Sequence, residues 1–266
     1  MFAARSSFVS LTVAILAGCA QTPTGPTSVA PSTVIGVVPQ TSPPVPPRIT
    51  VAPARAIGLT RYVAFGDSIT WGATSAFDGR FLFAAANGGY AERLGAGLNT
   101  FHAPQRFTVI NEGLPGEAAI TALPRFRAML TTRRPQAVLL LEGINDISAD
   151  VSVSRTVDGL RQMLDAAALA GVPVLIATMF QTYAVTDPDG HFRPNGAAVV
   201  PAFNAAVRQL ASGRLNVHLV DLEPVMRTRS LVGADGVHLE DSGFEVMAST
   251  FMAAIEAAFP VRGSFQ

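Results

Sequence analysis

The chain has 266 residues, of which 49% are hydrophobic and 14% charged. That length and composition can bury one sizeable core, so a single domain of about 200 residues with an appendage is expected. The 19 basic and 19 acidic residues balance, and no Lys or Arg cluster tracks along the chain, which argues against nucleic acid as a partner.

Residues 1–18 carry one early basic residue, Arg5, and an apolar run over residues 8–17. The run is too short to span a bilayer and suits a secretory signal. Leu16-Ala17-Gly18-Cys19 resembles the bacterial lipobox, whose cysteine becomes the lipidated first residue of the mature protein. Cys19 is the one cysteine in the chain, and it abuts the apolar run, away from any core segment. Ala20 stands where an aspartate would mark inner-membrane retention. The resemblance therefore implies a cell-envelope protein held in the outer membrane by lipid on Cys19 and facing the periplasm or the exterior. Residues 19–58 are rich in Pro, Thr and Ser, include Pro43-Pro44-Val45-Pro46-Pro47, and carry almost no charge. Such a segment buries too little surface to offset its ordering entropy. As a flexible tether it would reach on the order of 35 Å, or about 100 Å if mostly extended; the alternative is a pro-segment or an extension packed on the domain.

The folded domain is expected over residues 59–266. Strand-like runs at residues 61–65, 107–111, 137–142, 172–177 and 217–221 alternate with helical patterns, which argues for a parallel sheet covered on both faces. Val138-Leu139-Leu140-Leu141 and Val174-Leu175-Ile176-Ala177 are apolar throughout, as central strands must be. Val157, Leu160, Leu164 and Ala168 recur at helical spacing and stop at Gly171. In the last helix Phe244, Met247, Phe251, Ile255 and Ala258 form one stripe before Pro260, and Ser242 with Glu245 reads as a capping box.

The chemistry-bearing segments sit just past the strands. The first strand ends abruptly in Gly66-Asp67-Ser68-Ile69-Thr70, which reads as a serine nucleophile at the mouth of a strand. Asn111-Glu112-Gly113-Leu114-Pro115-Gly116 follows the second strand, Gly143-Ile144-Asn145-Asp146 the third, and Asp235-Gly236-Val237-His238 comes after the fifth. In open α/β sheets ligands bind outside the carboxyl ends of the strands. In this order the four segments resemble the GDSL esterases and lipases, also called SGNH hydrolases, whose serine, glycine, asparagine and histidine match Ser68, Gly116, Asn145 and His238. The resemblance covers roughly residues 60–260. It implies a three-layer α/β/α sandwich on a five-stranded parallel, flavodoxin-like sheet.

A serine hydroxyl needs a general base, and histidine has the intrinsic pKa for it. Of the four histidines, only His238 has a carboxylate three residues earlier in a loop, where Asp235 can hold the ring tautomer. Attack on an ester places negative charge on the carbonyl oxygen, and donors aimed at it contribute around 3 kcal/mol each. The resemblance implies three such donors: the backbone N–H groups of Ser68 and Gly116, and the side-chain amide of Asn145. Asp67 and Asp146 are expected to support their loops, as aspartates beside turns do. Glu117 replaces the aspartate that often follows this glycine in relatives. Aromatic residues in two loops, Phe77, Phe81, Phe83 and Tyr90 in residues 72–90 and Phe180, Tyr183 and Phe192 in residues 178–195, are expected either to line a pocket or to cover the end of the sheet.

The implied activity is hydrolysis of a carboxylic ester, whether an acyl ester, a lysophospholipid or an acetylated glycan, through an acyl-enzyme on Ser68. The substrate is then a small molecule or a glycan. No cofactor is called for, and no metal, since nothing resembles His-Glu-x-x-His or a clustered Cys/His set. The same residues would serve an acyltransferase or an O-deacetylase of envelope polysaccharide. Glu112 and Glu142 evoke a paired-carboxylate glycosidase, but such a site needs no serine–histidine pair. A non-catalytic envelope module would keep the fold yet not require Ser68, Asn145 and His238 together.

Overall fold

The computed structural model describes residues 56–75 and 82–261. The lipobox with Cys19, residues 19–55 of the expected tether, and Phe77 and Phe81 lie outside the described residues. The expected tether runs too far at its end: Ile57 is buried and bridges Pro260, and Gly58 N donates to Phe259 O at 2.8 Å, so residues 56–58 belong to the folded domain. Five parallel strands form the central sheet: β1 (Arg61–Gly66), β2 (Thr108–Gly113), β3 (Ala137–Leu141), β4 (Val174–Ala177) and β5 (Val217–Val220). Their order is β2-β1-β3-β4-β5. The chain steps from β1 outward to β2 and then returns to the other side of β1 for β3. The crevice between the carboxyl ends of β1 and β3 is therefore the topological switch point, where open α/β sheets bind ligands.

Burial follows strand order. All five residues of β3 are buried, as are Tyr62 to Gly66 of β1, whereas Leu219 on the edge strand β5 is exposed. The helices are α1 (Ser68–Trp71), α2 (Tyr90–Phe101), α3 (Leu123–Arg133), α4 (Ile144–Ser148), α5 (Val153–Leu169), α6 (Val200–Ala211) and α7 (Asp241–Ala258). α2 packs against α7, with the Tyr90 and Phe251 rings stacked 5.0 Å apart, while α5 packs against both α3 and α6. None of the helices is long and apolar enough to cross a membrane.

Two helical expectations need correction. Ser242 and Glu245 form no capping box: Glu240 is the N-cap without a side-chain bond, and Glu245 instead pairs with Arg93, which also reaches Asp241 at 2.8 Å. The helix starts two residues earlier than a Ser242 cap implies, its first turn being tied across to α2. In α5, Ala168 is exposed; Thr156, Leu160, Met163, Leu164 and Ala167 form the buried face. The stripe in α7 is as expected for Phe244, Met247, Phe251 and Ile255, all fully buried.

The loops beyond the carboxyl ends carry short antiparallel pairings of their own. Ala73–Ser75 pairs with Leu82–Ala84, and Val185–Thr186 with Phe192–Arg193. The second is a hairpin closed by Asp187-Pro188-Asp189-Gly190. There Asp187 Oδ1 accepts from the N–H groups of Asp189 (3.1 Å) and His191 (2.9 Å), and Gly190 takes a φ of 86°. Asp at the first position, Pro at the second and Gly at the fourth are the residues such a turn demands.

Candidate active site

Strand register brings the motifs together. Gly66 at the end of β1 lies beside Gly113 of β2 on one side and Leu141 of β3 on the other. Ser68, Gly116 and Asn145 therefore leave the sheet from three adjacent strand ends. Gly66 is glycine because of close approach: a Cβ there would lie 2.3 Å from the Leu141 carbonyl oxygen and 2.1 Å from Thr70 Oγ1.

Ser68 opens α1, so its N–H belongs to a first turn that has no intrahelical acceptor. Asp67 is the N-cap, and its Oδ1 accepts from Ile69 N at 2.9 Å. Ser68 Oγ lies 2.8 Å from His238 Nε2. On the far side of the ring, His238 Nδ1 is 2.6 Å from Asp235 Oδ2. The other oxygen of Asp235 accepts from the N–H groups of Val237 and His238, both at 3.0 Å, so the carboxylate is fixed before it meets the ring. Burial alone would raise the Asp235 carboxyl, but its bonds to His238 and to these N–H groups win and hold it below the usual carboxylate range.

Leu114-Pro115-Gly116-Glu117 is a turn closed by Glu117 N donating to Leu114 O at 3.1 Å. Pro115 at its second position and Gly116 at its third, with φ of 81°, are the signature of a type II turn. A Cβ on Gly116 would meet nothing within 4 Å, so the positive φ, and not crowding by the protein, selects glycine. In such a turn the Gly116 N–H takes no part in the closing bond. Asn145 Nδ2 donates to Glu117 O at 2.7 Å, which fixes the orientation of the amide. Its second hydrogen has Asp67 Oδ2 at 3.5 Å, the outer limit of a hydrogen bond, and so remains available to a better acceptor.

Asp67 and Asp146 are both buried. Burial pushes the Asp67 carboxyl up to about 7, against the pull of the Ile69 N–H and of His238. Asp146 ties α4 to the loop after β2 by accepting from Ala119 N (2.7 Å) and Ile120 N (3.1 Å); burial raises its carboxyl while these bonds oppose the shift. Glu112 is held by Arg133, and Arg125 stands 3.9 Å away.

A cavity of about 510 Å³ opens beside His238 and Asn145, with Ser148, Asp187, Asp189, Arg193 and Asn195 in its wall. Among the described residues none of the loop aromatics lines this cavity. Tyr90 and Phe180 are fully buried core residues, while Phe83 and Phe192 are exposed on the surface. Tyr183 is partly buried, its hydroxyl donating to Arg227 O at 2.6 Å. Asn195 escaped the motif reading although it joins the two loops of the site: its Nδ2 donates to Tyr183 O (2.9 Å) and Asp235 O (2.7 Å). A φ of 51° at a non-glycine residue marks it, and that is visible only in the fold. Among the described residues no cluster of three or more His, Cys, Asp or Glu is arranged to hold a metal ion.

Known proteins resemble this chain in sequence family and in fold. The sequence matches the GDSL-like Lipase/Acylhydrolase family over residues 64–246. The fold is similar to the aryl esterase of M. smegmatis, with a TM-score of 0.65 and 19% identity over 75% of this chain and all of that one. It is also similar to a lipase/acylhydrolase from Enterococcus faecalis, with a TM-score of 0.61 and 21% identity over 77% of this chain and 100% of that chain. Est24, a carbohydrate acetylesterase from Sinorhizobium meliloti, superposes with a TM-score of 0.64 and 17% identity, covering 75% and 100% of the two chains. At such identities these structures speak for the fold alone. No curated protein matches the sequence.

Proposed function

The chain belongs to the GDSL-like lipase/acylhydrolase family and is a carboxylic ester hydrolase, and from that premise we propose that it works through an acyl-enzyme on Ser68. The observation that carries this reading is the unbroken line from Ser68 Oγ to His238 Nε2 (2.8 Å) and from His238 Nδ1 to Asp235 Oδ2 (2.6 Å). His238 takes the hydroxyl proton as Oγ attacks the ester carbonyl, and returns it to the leaving alkoxide. Asp235 holds the ring tautomer and steadies the imidazolium. The tetrahedral oxyanion is met by Ser68 N–H, Gly116 N–H and the second amide hydrogen of Asn145. Water, activated by the same histidine, then releases the acid.

The cavity supports a hydroxylated alcohol moiety over a long acyl chain. Carboxylates, an arginine and amides line it beside His238, and such groups pair with hydroxyls, whereas a fatty chain would leave them desolvated. An acetylated glycan fits this wall better than a lysophospholipid. We further propose that the domain is held in the cell envelope by lipid on Cys19 through a tether of residues 19–55. A serine-directed phosphonate tests the chemistry: it should label the parent at Ser68, and labelling at another serine would overturn the assignment. For location, Cys19→Ser should abolish lipid attachment; lipid incorporated into that variant would refute the anchor.

A further inference from the structure

β3 runs into Glu142, which is 2% exposed, and neither of its carboxyl oxygens has a hydrogen-bond donor. The titratable groups that face it are Asp67 beyond β1, Glu117 in the turn beyond β2, Arg125 on α3 and Tyr90 on α2. Tyr90 directs its hydroxyl at Thr70 Oγ1, 3.2 Å away. Glu117 is the group within hydrogen-bonding reach, and Arg125 holds it from another side, with Nε at 2.8 and 3.0 Å from its two oxygens. Two carboxylates in contact and out of water repel, and an ionised Glu142 would leave its oxygens unpaired at a cost of several kcal/mol. One proton resolves both problems. A neutral Glu142 is a donor, and the Glu117 carboxylate is the acceptor it meets.

Glu117 is the residue on which two of the three oxyanion donors depend. Its N–H closes the turn that presents Gly116, and its carbonyl receives the Asn145 amide at 2.7 Å. Arg125 extends the same clamp to the strand ends, donating to Glu112 O (2.8 Å) and Gly66 O (3.2 Å). We propose that Glu142 is a positioning residue: it carries a proton that it donates to the Glu117 carboxylate, and with Arg125 it fixes the residue that aims Gly116 and Asn145 at the oxyanion. The functional half of this inference rests on the acyl-enzyme reading above. Burial and the neighbouring acids push the Glu142 carboxyl well above the ordinary range, the direction that keeps the clamp's proton in place. Loosening the clamp strikes kcat and spares KM, because the bond to the oxyanion exists only in the transition state.

The test combines infrared spectroscopy with kinetics on the folded domain. The parent minus Glu142→Gln difference spectrum at pH 8 should contain the C=O stretch of a protonated carboxylic acid, above the amide band; its absence overturns the proposal. Glu142→Ala should lower kcat on the order of tenfold or more with KM little changed, since losing one oxyanion donor outright costs about a hundredfold or more. Glu142→Gln, whose amide donates the same bond, should recover most of that loss. Unchanged kcat in Glu142→Ala, or a Glu142→Gln variant as slow as Glu142→Ala, overturns the positioning role. Phosphonate labelling of Ser68 in each variant separates the two readings: failure to label the parent sinks the nucleophile, while a silent Glu142 with normal labelling sinks only the clamp.

Discussion

The two flanks of Ser68 solve the same electrostatic problem in opposite ways. On the histidine flank every carboxylate oxygen of Asp235 has a donor, from the ring and from two backbone N–H groups, and the acid is held ionised. On the oxyanion flank acids outnumber donors: Asp67 and Glu142 are buried with few partners, and both are pushed upward. Burial acts on all three, so the number of donors in reach decides the charge. The difference also sets opposite pH signs. Asp235 contributes stability above the ordinary carboxylate range and loses it as pH falls through its lowered folded value. Asp67 and Glu142 bind more protons folded than unfolded above about pH 4, so their contribution fades as pH rises, for Asp67 until about 7.

Removing the centre on which both flanks act has the largest expected effect. Ser68→Ala should leave only a residual rate, about a thousandfold to ten-thousandfold over water, from the oxyanion donors and binding. Its urea midpoint should barely move, since one hydroxyl contributes little to stability. A turnover assay with a small acyl ester checks both flanks at once: retained activity means neither is aimed at the reacting carbonyl.

Asp235→Asn breaks the histidine flank alone. The oxygen of the new amide can still accept from Val237 and His238 N–H, but its nitrogen faces Nδ1 and favours the wrong tautomer. We expect kcat to drop by up to about ten-thousandfold with circular dichroism unchanged. A loss below tenfold would show that the ring is oriented by something else.

On the other flank, Asn145→Ala should lower kcat by about a hundredfold with a smaller change in KM, as expected for a donor whose bond strengthens in the transition state. If the change falls in KM alone, the amide binds substrate and the oxyanion flank is misassigned. The smallest effect is thermodynamic. Parent stability from urea unfolding should decline between pH 5 and 8 as Asp67 ionises against its burial, and Asp67→Asn should flatten that decline. A parent whose stability rises over this interval would show the oxyanion flank to be as well supplied with donors as the histidine flank.

Much of this was legible in the residues. The five strands are apolar runs closed by turn residues, and the serine and asparagine loops stand directly beyond strand ends, where local pattern is strongest, while the histidine loop comes well after the last strand. Aromatic loop residues misled because an aromatic ring reads the same in sequence whether it faces the core, as Phe180 does, or water, as Phe192 does. The capping box failed for a related reason: Glu245 had a partner 152 positions away in Arg93, and a tertiary ion pair overrode a local motif.

From the sequence alone came the sheet's strands, the candidate serine, asparagine and histidine motifs, and the family, because periodicity and short motifs are local properties of the chain. Only the tertiary structure decided which groups share a proton. Glu117 and Glu142 sit on different strand loops, and neither belongs to a recognisable spacing. Their meeting depends on β1 separating β2 from β3 in the sheet and on Arg125 of α3 reaching the ends of β1 and β2. Protonation of a buried acid is set by the donors that long-range packing brings within about 3 Å, and no local pattern records them.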